Sequence, residues 1–61
     1  MKIVTFTNNN GDPVSINTDN ISKVEKNYRW ENRTDIYFIG GGKTVTVKHT
    51  MGHVIGALLK V

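Results

Sequence analysis

The chain contains no cysteine. That excludes disulfide staples and every zinc site built on thiolates. It has one proline, two methionines and one tryptophan, and no apolar run near the ~18 residues that a membrane span needs. Its 61 residues leave room for one domain. A domain of this size buries only about 60% of the surface its unfolded chain exposes. Small domains usually add a disulfide, a metal or a partner subunit. With disulfides excluded, self-association is the aid expected here, and strand edges are its natural place. Met1-Lys2 leads straight into a strand pattern, without the apolar stretch of roughly 7–15 residues that marks a secretory leader. The expectation is a soluble, cytoplasmic protein with no membrane contact, in which the Asn32-Arg33-Thr34 sequon carries no meaning.

What the chain does have is short alternating runs separated by turn formers. Lys2–Asn8 alternates with period two, as does Val14-Ser15-Ile16-Asn17 after Pro13. Asn10-Gly11 between them favours positive φ at both centres, the chemistry of a tight hairpin. Pro13 lacks an N–H and belongs at a strand start or on an edge. Thr18-Asp19-Asn20 breaks the pattern and suits a single capped helical turn. A third strand over about 22–30 follows. Ile21 and Val24 are three apart, which breaks strict alternation unless a turn or bulge lies between them. Beyond it Val24, Lys26, Tyr28 and Trp30 share one face.

The fourth run, 34–39, is apolar on both faces (Ile36 and Phe38 against Tyr37 and Ile39), the mark of a central or covered strand. Gly40-Gly41-Gly42 turns the chain into a fifth strand over 43–48, with Val45 and Val47 inward. Thr50 then suits an N-cap, accepting from the N–H of Gly52 or His53. Met51, Val54, Ile55 and Leu58 follow the i, i+3, i+4, i+7 spacing of a buried helical stripe over 51–60. The fold class predicted is α+β, mostly β: one domain over 1–61, an antiparallel meander of about five strands, and a C-terminal helix on the sheet.

Three constellations invite chemistry, and two of them fail on spacing. Gly41-Gly42-Lys43-Thr44 looks like the end of a phosphate-binding loop, but Tyr37 stands where that motif needs its first glycine, and a strand follows where it needs a helix. His49 and His53 are four apart, a spacing that can set two imidazoles on one helix face. His49 falls before the N-cap, so the pair is not expected to converge, and no cysteine or nearby carboxylate completes a metal set. The five carboxylates are scattered, and nothing marks any serine or threonine, all in strand or turn contexts, as activated. The expectation is no enzyme, no cofactor and no metal.

The third constellation is the stretch Lys23–Arg33. It holds four of the eight basic residues, the tryptophan and one of two tyrosines. Net charge is +3 overall, and residues 21–33 contribute a surplus of two positive charges. Tyr28, Arg29, Trp30, Arg33 and Tyr37 form the predicted interaction surface of a small binding module that self-associates through protein–protein contacts, since Trp, Tyr and Arg anchor such interfaces. The alternative is a nucleic-acid-binding accessory or regulator, with Lys23, Lys26, Arg29, Arg33 and Lys48 on phosphates and the rings as stacking platforms.

The run Val14-Ser15-Ile16-Asn17-Thr18-Asp19-Asn20-Ile21-Ser22-Lys23-Val24-Glu25, with Thr34-Asp35-Ile36, Gly41 or Gly42, Val47-Lys48 and Val54 after it, resembles a pattern of small bacterial and phage proteins. The flagellum-associated FlbD-type family is similar in this respect. The resemblance spans most of residues 14–58 and rests on turn formers and core hydrophobes. It implies the strand-rich fold with a short final helix, and it brings no catalytic residues. Tyr28-Arg29-Trp30 is an addition to the shared pattern.

Overall fold

A computed structural model describes residues 2–61. Strands β1 (Ile3–Thr7) and β2 (Pro13–Asn17) form an antiparallel hairpin in which Val4 faces Ile16 and Phe6 faces Val14. Period-two alternation puts these four apolar residues on one face, and Phe6 and Ile16 are buried there. Thr5 and Ser15 hydrogen-bond through their hydroxyls at 2.9 Å on the outer face. Pro13 opens β2 opposite Thr7, where a missing N–H costs least.

The turn between them is organised by Asn8 rather than by Asn10. The Asn8 side-chain oxygen accepts from the N–H groups of Asn10 and Asp12 at 2.9 and 3.0 Å. Only Gly11 takes a positive φ, +91°, so the expected pair of positive centres reduces to one.

A single 3-10 turn, Thr18–Asn20, is capped by the Asn17 side chain, which accepts from the Asp19 N–H. This turn interrupts the meander. The five strands therefore divide into two antiparallel sheets, β1–β2 and a three-stranded sheet of β3 (Ile21–Lys26), β4 (Thr34–Phe38) and β5 (Val45–Val47). The α+β, mostly-β class holds. β4 is the central strand of the larger sheet, in line with its two apolar faces. The bulge lies at Ser22: Ile21 pairs with Phe38, and Lys23 already pairs with Tyr37. Both Ile21 and Val24 thereby turn to the core.

The two sheets meet where β1 ends. Asn8 bridges to Val47, and the Lys48 N–H donates to the Thr7 carbonyl at 2.8 Å. Helix α1 (Met51–Leu59) closes the core, with Val54 fully buried beside Phe6, Ile16, Ile36 and Val47. Thr50 caps it, its hydroxyl accepting from the His53 N–H at 3.2 Å. Met51, Ala57 and Leu58 are half-buried, whereas Ile55, expected in the buried stripe, faces outward. A helix of nine residues is marginal alone and depends on this packing.

The accessible surface, 4132 Å², is close to the ~4,000 Å² that a folded monomer of this mass exposes. No helix among the described residues is long and apolar enough to cross a membrane.

Candidate binding surface

β3 stops at Lys26, four residues short of the predicted end, and one side chain is responsible. Asn27 is 8% exposed and faces inward at the sheet end. Its amide nitrogen donates to Asp35 Oδ1 at 2.9 Å, while its oxygen accepts from the N–H groups of Arg29 and Trp30 at 2.8 and 3.1 Å. That asparagine turn bends the chain out of the strand. The loop closes when the Asn27 N–H donates to the Arg33 carbonyl and the Arg33 N–H to the Trp30 carbonyl. Asp35 Oδ1 is fixed in turn by the Thr46 hydroxyl at 2.8 Å, which ties the loop to β5.

Loop 27–33 presents four of the predicted site residues together. Tyr28 is 90% exposed and Trp30 44% exposed. The guanidinium carbons of Arg29 and Arg33 lie 5.1 and 5.9 Å from the Trp30 ring centroid, within cation–π range. Arg33 Nε also donates to Asn9 Oδ1 of the β1–β2 turn at 3.1 Å. The two loops thus share one end of the molecule.

Lys48 joins that end from β5. A methyl group at Gly11 would lie 4.0 Å from Lys48 Nζ, so the ammonium sits against the same turn that Arg33 touches. Lys26 stands exposed at the end of β3, opposite Thr34.

Tyr37 and Lys23 belong elsewhere. They pair across β4 and β3 on the outer sheet face, three register positions from the loop, with Lys23 Nζ 4.6 Å from the Tyr37 ring centroid. Lys23 is also in an ion pair with Glu25 at 2.8 Å. That hydrogen bond and the Glu25 charge hold its pKa above the usual lysine value. Its charge is spoken for, which separates it from the basic residues at the loop end.

The histidines do converge, although His49 precedes the N-cap, the position that argued against it. Their rings stack at 4.5 Å between centroids and 12° between planes, because extended backbone at the Thr50 cap folds His49 back over the first helical turn. His49 Nε2 accepts from the Thr7 N–H at 3.1 Å, so that nitrogen carries no proton and its lone pair is in use. Burial, and secondly the His53 charge, hold the His49 pKa below the usual value. Among the described residues no group of three His, Asp or Glu side chains gathers in metal-binding proximity.

Two residues that the sequence reading missed, Asn27 and Asp35, give the loop its shape. The available signal was an asparagine just before an exposed aromatic stretch, but its partner lies eight residues away. Among the described residues every buried side-chain nitrogen and oxygen has a partner, and no cavity opens between the elements. The candidate site is therefore a raised surface. No family model, no curated protein and no solved structure matches this chain.

Proposed function

We propose that this chain is a small non-enzymatic binding module that acts through protein–protein contacts, a second copy of itself included, with loop 27–33 as the contact surface. One observation carries this: Tyr28 holds its ring 90% exposed on a loop that Asn27 fixes with three hydrogen bonds. A large ring offered to solvent on a rigid support loses little conformational entropy on binding. Trp30, Arg29 and Arg33 beside it complete the residue types whose truncation costs interfaces most. Glu31, in the same loop, has no ion pair among the described residues. A two-fold contact would let Glu31 of each copy meet an arginine of the other, which makes the loop self-complementary. The absence of cysteine fits a reducing compartment, so the cytoplasm is the location this reading assumes.

Sedimentation velocity across a range of concentration tests the proposal. The expected result is a mass that rises above 6.8 kDa with concentration and returns to the monomer in Trp30→Ala and Tyr28→Ala. Loss of such an anchor should weaken association about thirtyfold or more. A wild-type chain that stays monomeric throughout, or variants that associate as well as it does, would overturn the reading.

A further inference from the structure

Beyond protein contacts, we infer that the end of the molecule holding loop 27–33 also carries a site for single-stranded nucleic acid. Arg33, Arg29 and Lys48 hold phosphates there, and Tyr28 stacks on a base. The inference takes from the proposal above only that this loop is a working surface. It does not require the chain to self-associate.

Arg33 is held from two sides. Its guanidinium is held over the Trp30 ring and anchored through Nε on Asn9. Those two contacts remove much of the freedom that makes a surface arginine a poor ligand. They leave both terminal amino groups without a protein acceptor among the described residues. A guanidinium presented in this way is a preformed fork for a phosphate. Arg29, over the same ring, is likewise without a carboxylate partner among the described residues.

Lys48 adds a third cation beside Gly11 of the β1–β2 turn. Gly11 has no side chain to cover its ammonium. Four cations, Lys26, Arg29, Arg33 and Lys48, stand at this end with the carboxylates of Asp12, Glu31 and Asp35, the last already engaged by Asn27 and Thr46. The fold thus brings cations from two parts of the chain that are remote in sequence to one end.

The aromatic residues choose between anionic partners. The arginines over Trp30 compete for its faces, so its role is to position them. Tyr28 has no such neighbour and keeps its ring free. An acidic peptide would satisfy the cations and leave that ring idle. A single strand supplies both a phosphate for each fork and a flat base for the ring.

Fluorescence anisotropy of a labelled, mixed-sequence single strand of about 12 nucleotides, titrated with the full chain, tests this. Saturable binding is expected at low salt. With three phosphates neutralised, affinity should fall about a hundredfold for a tenfold rise in salt. Tyr28→Ala should weaken binding about five- to hundredfold. Arg33→Gln and Lys48→Gln should each weaken it and flatten the salt dependence, whereas Glu31→Gln should tighten it.

Lys43→Gln, in the loop at the opposite end, should bind as wild type. Circular dichroism confirms that each variant folds. The inference falls if the strand does not bind at low salt, or if Lys43→Gln costs as much as Lys48→Gln. It also falls if polyglutamate displaces the strand at matched charge, which would assign the end to acidic protein segments. In each of these cases the sedimentation result still decides the protein-contact proposal separately.

Discussion

The imidazoles of His49 and His53 lie 4.5 Å apart and nearly parallel, and this stack fastens the helix to both sheets. Its edge packs against Phe6, whose ring centroid is 5.4 Å from that of His49 and 6.5 Å from that of His53. His49 Nε2 takes the Thr7 N–H at the end of β1, and the His49 carbonyl takes the Thr34 hydroxyl at the start of β4. One residue outside any strand or helix therefore connects β1, β4 and α1. Two of the groups it joins, Phe6 and Thr34, are buried. The fold's three parts meet at an imidazole whose pKa burial holds below the usual histidine value.

Acid should therefore loosen the molecule. Protonating His49 removes the acceptor for Thr7 and sets a cation against His53 and the first turn of α1, where the helix dipole already disfavours positive charge. Lys48, adjacent in the chain, adds to the repulsion, and the residues facing the stack from β1 and β4, Phe6, Thr7 and Thr34, offer no compensating carboxylate. The folded pKa is lowered, so below about pH 6.5 the unfolded chain binds the proton first. The contribution is whole above that pH and is lost as pH falls through the folded value. Thermal melts followed by circular dichroism should show the midpoint dropping as pH falls below about 6.5. His49→Gln, which keeps an acceptor and cannot titrate, should flatten that drop. A wild-type midpoint that is level across the window would show that the stack contributes nothing.

The sequence carried the local features well and the long-range ones poorly. Thr50 as a cap and an irregularity between Ile21 and Val24 were legible in spacing, because each depends on neighbours within a few residues, and the two apolar faces of β4 pointed to a central or a covered strand. The end of β3 was hidden. Val24, Lys26, Tyr28 and Trp30 continue a strand pattern that the Asn27 side chain interrupts, its oxygen on the Arg29 and Trp30 N–H groups and its amide on Asp35. Arg29, Trp30 and Arg33 stood out as one cluster, being adjacent in the chain. Lys48 enters that end, and Tyr37 and Lys23 leave it, through sheet register, which no local pattern encodes. The division into two sheets had a visible cause in Thr18–Asn20, but its effect on strand pairing is a tertiary fact.

Removing the Asn27 side chain should release the loop while leaving the sheets intact. Asn27→Ala strands the N–H groups of Arg29 and Trp30 and takes one donor from Asp35, at a cost of about 1–3 kcal/mol. Amide exchange should accelerate at residues 28–33 more than in β1 or β4, and the emission of Trp30 should shift toward that of a free indole. Asn27→Asp is a sharper probe. It keeps the oxygen but sets a carboxylate against Asp35, so it should be worse than alanine at pH 7 and recover in mild acid, because repulsion within the pair raises the pH at which one carboxylate takes a proton. That is opposite in sense to the acid loss at His49. Unchanged exchange in Asn27→Ala would mean that the loop holds its shape without this residue.

Two isoleucines three residues apart should behave in opposite ways. Ile36 is fully buried at the centre of β4, whereas Ile39, just past the strand end, is 66% exposed. Ile36→Val removes one methylene from a packed interior and should cost about 0.5–1.5 kcal/mol. In a domain this small each kcal/mol lowers the melting midpoint by about 4–8 °C, so the change is easily read. Ile36→Ala, at about 2–5 kcal/mol, approaches the whole stability such a domain can hold and should leave it largely unfolded. Ile39→Ala should lie within about 0.5 kcal/mol of wild type, as surface substitutions do. Comparable losses at the two positions would mean that Ile39 is covered in solution. Its partner would then be a second copy, and the Ile39→Ala midpoint would approach wild type on dilution.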